Sequence, residues 1–240
     1  AGVPPLLSIQ GRVDARAEDV ARFLKESPMI DGVGAFTRFV ALDGPGKLEL
    51  GMKFSLAPSE NGVKEPPRIN GKYTLLRAHA IALGERGIDI SNLTGNVAFT
   101  ESAVKSAGVA GVAYGNPMTI GIGSTADSVT VDFNARADVK HLTGVLPFRM
   151  PQQVTGTSDF TGRVLAKGGA TEVSIESTLL GVSSALPAPL VKRTDEARKF
   201  RVLFTNTGQA SEKIRVTMAG NAATPATDDP ATRIDARFQR

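Results

Sequence analysis

The fold of this chain is decided by residues 155–192, which read TGTSDFTGRVLAKGGATEVSIESTLLGVSSALPAPLVK. Residues 164–167 and 172–177 are strand-like, and two glycines between them supply the backbone angles of a tight turn. In the second strand Val173 and Ile175 alternate with polar residues, which is typical of a sheet with one wet face. Prolines follow, and they cannot donate to a strand ladder. The stretch predicts an antiparallel hairpin and then an apolar, proline-framed loop.

The same alternation recurs along most of the chain. It is clearest at residues 47–57, where every second side chain is large and apolar. Glycines separate most of the other candidate strands. Further strands are predicted at residues 4–13, 68–75, 76–83, 87–90, 95–99, 103–107, 111–114, 118–123, 128–137, 198–206, 212–220 and 233–238.

Two short helices are predicted near the start. The first begins at Asp14 in DARAEDVARFLKESP, where Val20 and Phe23 fall on one helical face before a proline. The second covers residues 29–42, because apolar residues recur there at spacings of three and four.

Parts of the sequence repeat. DARAEDVARFLKESP at Asp14 is echoed by NARADVKHLTGVLP at Asn134, and TGNVAF at Thr94 is echoed by TGTSDF at Thr155. RVDARA near the start returns as RIDARF at Arg233. We therefore predict repeat units at residues 1–133 and 134–232, with residues 233–240 starting a further strand. Such repetition lets a sheet grow lengthwise by adding units.

The composition excludes several classes of function. The net charge of +4 comes from 28 basic and 24 acidic residues spread along the chain, with no basic cluster of the kind that binds nucleic acid. The absence of Cys excludes disulfides and thiol catalysis. No apolar run reaches the roughly 18 residues of a membrane span. Because Ala1 is neither an initiator Met nor part of a signal peptide, we expect the chain to be a piece of a longer protein.

Candidate catalytic groups are sparse, so we predict neither an enzyme nor a metal or cofactor site. His79 and His141 stand in no metal-ligand spacing and are interpreted as surface or packing residues. Asp228 and Asp229 lie in a Pro/Thr/Ala segment without the pattern of a calcium loop. Residues 192–199, KRTDEARK, mix both signs of charge. They predict a solvated loop, with contact to anionic lipid headgroups as the alternative.

The one-sided strands leave two explanations open. On pattern alone the ordinary explanation is the core of a closed sandwich or barrel. The alternative is an open trough whose apolar face holds an acyl chain. Few helices are available to cover the sheet, and the unit repeats lengthwise, so both features favour the trough. The candidate lining residues are Leu48, Leu50, Met52, Phe54, Leu56, Met118, Ile120, Ile122, Val129, Val131, Phe133, Val173, Ile175, Phe200, Val202, Phe204, Ile214 and Val216.

Several segments also resemble a known family. INGKYTLL, ISNLTGNVAFTESAVKSAGVAGVAYGNPMTIGI, TGTSDFTGRVLAK and TEVSIESTLLGVSSALPAPLVK are similar to the YhdP-like members of the AsmA-like and TamB-like envelope proteins of Gram-negative bacteria. The resemblance covers about residues 11–220, and AYGNPMTIGI and SALPAPLVK are its most specific parts. It implies a protein tethered to the inner membrane that crosses the periplasm as a long β-groove and carries phospholipid toward the outer membrane. It implies no catalytic residues.

Together these features predict a mostly β chain with short helices. Its elongated, twisted antiparallel sheet is expected to curl into an open groove built from repeated units. The expected function is that of a segment of a periplasmic bridge-like lipid transport protein, with phospholipid acyl chains as ligand. The inner and outer membranes would be reached through the rest of the parent protein. The alternative is a closed β-sandwich scaffold or protein-binding module of the cell envelope.

Overall fold

A computed structural model describes residues 5–26, 40–56, 67–82, 88–125, 127–144, 150–206, 211–219 and 232–239. Strands dominate these residues, with one α-helix and one 3₁₀-helical turn, Val139–Gly144, among them. The elements in chain order are β1 (Leu6–Arg16), α1 (Ala17–Glu26), β2 (Val40–Asp43), β3 (Pro45–Ser55), β4 (Arg68–Ala82), β5 (Ile88–Thr100), β6 (Val104–Ala113), β7 (Asn116–Ser124), β8 (Ser128–Asp138), β9 (Val154–Lys167), β10 (Ala170–Ser177), β11 (Val182–Ser184), β12 (Phe200–Asn206), β13 (Ser211–Met218) and β14 (Thr232–Gln239).

All of these strands belong to one antiparallel sheet. Its order is β1-β3-β4-β5-β6-β7-β8-β9-β10-β12-β13-β14, with β2 added beside β4 and β11 beside β9. In the part of the chain that the structure describes, β1 and β14 end this order and do not pair with each other. The sheet is therefore not a closed barrel, and the predicted mostly β fold, with its long antiparallel sheet curled into an open groove, is confirmed.

The predicted hairpin forms, but its first strand, β9, begins at Val154, ten residues before the predicted start at Val164. β9 and β10 pair in register through Val164 and Val173. Gly168 and Gly169 turn the chain with φ angles of 55° and 80°, which favour glycine. The prediction of a bare loop after β10 is wrong in part, because β11 pairs there with the start of β9.

In the middle of the chain, several strands that the sequence predicts as two separate strands are continuous. The predicted strands at 68–75 and 76–83 fall in one strand, β4, as far as Ala82, and those at 87–90 and 95–99 fall in one strand, β5, from Ile88 onward. The predicted strands at 103–107 and 111–114 fall in one strand, β6, with Ala103 just before it and Tyr114 in the turn that follows. The register shifts between β4 and β5 near Arg77 and Asn92, whose φ angles are 60° and 53°. These breaks in the period-two pattern are β-bulges within continuous strands, which the sequence alone makes look like turns.

The helix predictions need two corrections. α1 begins at Ala17 and not at Asp14, because β1 continues to Arg16 in register with Pro45. Residues 40–42, predicted as the end of a second helix, are strand β2 and pair with β4. Val40 and Leu42 satisfy both the helical and the strand spacing, and pairing with β4 selects the strand. The rest of that predicted helix, residues 29–39, lies outside the described residues.

The echo between TGNVAF and TGTSDF has a structural counterpart. Gly95 and Gly156 both have positive φ, at 144° and 116°. At each, an added Cβ would meet the carbonyl oxygen of another glycine and the Cα of the valine after it. The phenylalanine that ends each segment is buried, and these residues are Phe99 and Phe160. The two segments therefore occupy equivalent backbone environments.

Each copy of the helical segment directly follows a strand. α1 follows β1, and the 3₁₀-helical turn follows β8. The boundary predicted between residues 133 and 134 lies inside β8. The division into two repeat units stays a prediction. In that division both units would contain part of β8.

Candidate functional site

The apolar stripes of the strands join into one continuous face. Residues directly opposite in an antiparallel pair point to the same side of the sheet. From β3 to β5, the residues that lie opposite one another on this face are Leu48, Tyr73 and Val97. From β5 to β13 they are Gly95, Val109, Ile120, Phe133, Gly162, Ile175, Val202 and Val216. We call this side of the sheet the inner face.

The inner face encloses a cavity. It holds about 1930 Å³ of space, part of which is open solvent. Its walls come from β2, β4 to β10, α1 and the residues around the 3₁₀-helical turn, and the lining side chains are aliphatic, aromatic or Met. The only side-chain hydroxyls among these lining residues belong to Tyr73 and Tyr114. The Tyr73 hydroxyl donates to the Ala15 carbonyl at 2.9 Å, so it is already bonded. The cavity therefore suits a long apolar ligand.

Part of the predicted lining falls in this cavity. These residues are Met118, Ile120, Ile122, Val129, Val131, Phe133, Val173 and Ile175. Leu48, Leu50 and Met52 lie beside it and pack against a cluster that contains Ile69 and Phe99. Phe54 is half-buried near the end of β3, and Leu56 follows that strand with 61% of its surface exposed.

The predicted residues nearest the end of the chain also lie on the inner face, outside the cavity. They pack in a cluster around Val139, Leu179 and Val182. These residues are Phe200, Val202, Phe204, Ile214 and Val216. Whether any of the predicted residues contacts a ligand stays a prediction.

Sequence reasoning missed about three quarters of the residues in the cavity wall. Much of it is alanine, such as Ala80 and Ala135, which does not stand out in an apolar stripe. The bulge in β4 also moves the inward side chains from odd positions, ending at Leu75, to even positions from Ala78 onward. One sequence signal could have located more of the wall. TGNVAF and TGTSDF each end in a phenylalanine, and both of these residues, Phe99 and Phe160, line the cavity.

The outer face carries ordered charges. Ion pairs join residues directly opposite in neighbouring strands, as Asp132 and Arg163 do at 2.6 Å. The others among the described residues are Arg12–Glu49 at 3.8 Å, Arg136–Asp159 at 3.1 Å, Arg201–Glu176 at 3.3 Å and Arg215–Asp235 at 2.7 Å. The Asp132 carboxylate raises the pKa of Arg163. Exposed pairs of this kind contribute about 1 kcal/mol or less each. Their main effect is to make this side of the sheet hydrophilic.

Helix α1 is attached to the sheet through Gly44. The Ala17 amide donates to the Gly44 carbonyl at 2.8 Å, and the Gly44 amide donates to the Glu18 carboxylate at 3.3 Å. Arg16 binds both Glu18 and Asp43. Its hydrogen bond lowers the pKa of Glu18 to about 2. These contacts hold Ala17 and Val20, both buried, against the cavity.

The 3₁₀-helical turn is attached by ring stacking. His141 stacks on Tyr114 with ring centroids 4.4 Å apart and planes 18° apart. Burial raises the pKa of the Tyr114 hydroxyl. The interpretation of His141 as a packing residue agrees with this contact. The other histidine, His79, is partly exposed and bonds Asp89 at 2.8 Å.

The proline-framed loop, residues 178–199, is ordered by a buried amine. Only 4% of Lys192 is exposed, and its Nζ donates to the carbonyls of Val182 at 2.6 Å and Arg193 at 2.9 Å. Burial lowers the pKa of this amine. Arg198 is also largely buried and pairs with Glu196 at 2.7 Å. The prediction that residues 192–199 are solvated is therefore wrong for Lys192 and Arg198.

Neither a metal site nor a membrane helix is found in the described ranges. There, no three His, Cys, Asp or Glu side chains are grouped so as to hold a metal ion. The helices within the same residues are too short and too polar to cross a membrane. Asp228 and Asp229 lie outside the described residues.

Comparison with known proteins identifies a family. A family model described as YhdP protein matches residues 2–238. No curated protein and no solved structure gives a significant match.

Proposed function

Since the chain belongs to the YhdP protein family, a family of envelope proteins, we propose that it is a segment of a periplasmic bridge-like lipid transport protein. It would shield phospholipid acyl chains in its groove between the inner and outer membranes. The observation that carries the proposal is the cavity on the inner face of an unclosed sheet, with walls that are almost wholly hydrocarbon.

The energetics of such a groove suit passive movement. Transfer of apolar surface out of water contributes about 25 cal/mol per Å², or about 0.8 kcal/mol for each buried methylene group. An acyl chain in the cavity would keep most of the stabilisation it has in a bilayer. The lining residues carry no charge that would hold the chain at one position. The ligand would therefore slide, without catalysis or a cofactor.

The location and partners follow from the same proposal. The parent protein would be tethered to the inner membrane and would reach both membranes through its other parts. Nucleic acid is not a proposed partner. The alternative of a closed sandwich needs two facing sheets, whereas the described strands form one sheet with unpaired ends.

A charge placed inside the cavity tests the proposal. Val131 lines the cavity, and a carboxylate there would cost several kcal/mol to bury beside an acyl chain. We expect Val131→Asp protein to retain about a tenth or less of the co-purifying phospholipid, with the β spectrum in circular dichroism unchanged.

Asn134→Asp is the matched control. It adds the same charge to the same strand, on the exposed outer face, and should bind as much lipid as the parent. Phe54→Asp extends the test to β3. If folded Val131→Asp protein carries as much phospholipid as Asn134→Asp protein, the acyl chain does not occupy this cavity.

A further inference from the structure

The cavity occupies only part of the inner face. Its described lining ends at β10 with Val173 and Ile175, and no described residue of β12 or β13 belongs to it. Val202 and Val216 nevertheless continue the same face, because Val202 lies directly opposite Ile175 and Val216 lies directly opposite Val202. They are only 5% and 8% exposed. On an open groove such side chains would face water, so other side chains must cover them.

Part of this cover comes from outside the sheet. Val202 and Val216 belong to a cluster of buried side chains, whose described members outside the strands are Val139, Leu142 and Leu179. Val139 and Leu142 lie in the 3₁₀-helical turn, and Leu142 also lines the cavity. The turn therefore lies at the boundary between the cavity and the covered part of the inner face.

Tyr114, which follows β6, holds the 3₁₀-helical turn at this boundary. Its ring lines the cavity and stacks on His141 of the turn, with ring centroids 4.4 Å apart. Tyr114 also packs against two separate clusters of buried side chains, the one that contains Val139 and the one that contains Val109. The stack therefore joins the turn to the sheet where the two clusters meet.

The backbone at Tyr114 is strained. Tyr114 and Gly115 form the two-residue turn between β6 and β7, with φ angles of 53° and 76°. Turns with positive φ at both positions favour Asn or Asp before Gly, and a bulky side chain is unfavourable there. The Asn116 side-chain amide donates to the Tyr114 carbonyl at 3.1 Å and braces the turn. Strain of this kind is typical of functional sites, and here the strained residue supplies the ring that contacts His141.

We propose that the 3₁₀-helical turn is a gate across the groove and that the stack of Tyr114 on His141 is its latch. With the latch closed, an acyl chain occupies the cavity as far as β10. When the stack opens, the chain can continue along the inner face to β12 and β13. This inference rests on the proposed function and adds the place along the sheet where passage of the chain is controlled.

Photo-crosslinking tests the gate. The probe is phosphatidylcholine with a diazirine at the end of one acyl chain, and mass spectrometry of tryptic peptides locates the label. Trypsin releases residues 106–136, which hold much of the cavity wall, and residues 202–213, which hold most of β12. In the parent protein we expect at least about ten times more label in residues 106–136 than in residues 202–213, as a closed gate requires.

His141→Ala removes the latch. The loss of an aromatic stack changes an equilibrium constant by about two- to tenfold, so label in residues 202–213 should rise about threefold or more, with the circular dichroism spectrum unchanged. His141→Phe keeps a ring that can stack and should restore the parent pattern. His79→Ala removes the other histidine, which is exposed and bonds Asp89, and as the matched control it should leave the labelling unchanged.

Tyr114→Asn tests the latch from the side of the hairpin. Asn is favoured at this turn position, so the hairpin should be kept while the ring is lost. Label in residues 202–213 should rise as it does in His141→Ala protein. If neither variant labels these residues more strongly than His79→Ala protein does, the stack is not a latch.

The parent protein separates this inference from the proposed function. Equal labelling of residues 106–136 and 202–213 in the parent would overturn the gate and leave the acyl chain in the groove. If residues 106–136 of the folded parent carry no label, the acyl chain does not enter the cavity, and the proposed function fails together with the gate.

Discussion

Single glycines set the close contacts of this sheet. An added Cβ at Gly71 would collide with the ring of Phe99, and one at Gly162 with the ring of Phe133. Each ring lies directly opposite its glycine in the neighbouring strand. An aromatic side chain that covers a glycine in this way restores packing that the glycine cannot supply. The sequence shows these glycines only as interruptions, because the covering ring is distant in the chain.

The sharpest prediction for a single residue concerns Gly156. Its φ of +116° is strained for any other residue, and a Cβ would collide with the Gly181 carbonyl. Gly156→Ala should therefore lower the free energy of unfolding by at least about 2 kcal/mol, measured by denaturant titration.

Gly123→Ala is the matched control for this change. Gly123 lies in β7 with open space around its Cα and an ordinary φ. Alanine there should be neutral or stabilising by up to about 1 kcal/mol. Equal stability of the two variants would mean that the backbone at Gly156 is not constrained as described.

Among the elements, the strands that the sequence located best are those with an unbroken alternation. The stripes of β3, β7 and β8 need only the period of two, which local sequence contains. The bulged strands β4 and β5 were each divided, because a bulge shifts which side chains point inward and its position depends on the partner strand. β2 was assigned to a helix for a similar reason, since its partner lies in β4.

Helix α1 gives a pH-dependent prediction. The pKa of Glu18 is about 2 in the folded chain and near 4.5 when unperturbed. Its ionised form is therefore favoured by folding, so its contribution is complete above pH 4.5 and is lost as the pH falls toward 2. Glu18→Gln should lower stability relative to the parent at neutral pH, and this difference should shrink across that range. Denaturant midpoints at several pH values measure it.

Asp19→Asn provides the comparison on the same helix. Asp19 is exposed and pairs only with Arg22, at 3.5 Å, among the contacts described for it. Its replacement should change stability little at any pH. A Glu18→Gln deficit that stays constant from pH 4.5 to 2 would show that the ionised carboxylate does not hold α1 to Gly44.

For the whole molecule, the sequence located the apolar face better than the cavity. The stripes of β3, β7, β8, β10, β12 and β13 do share one side of one sheet. Which of them border open space depends on how the sheet curls and on where α1 and the 3₁₀-helical turn cover it. That information comes from pairing between distant segments. For this reason Val131 lines the cavity while Val202, on the same face, does not and packs in the cluster around Val139, Leu179 and Val182.

The central claim is that the inner face holds phospholipid, and native mass spectrometry of the purified chain tests it most directly. The account predicts the protein mass together with added masses of phospholipid, which collision-induced dissociation releases and identifies. A folded chain that carries no lipid, even after incubation with phospholipid vesicles, would contradict it.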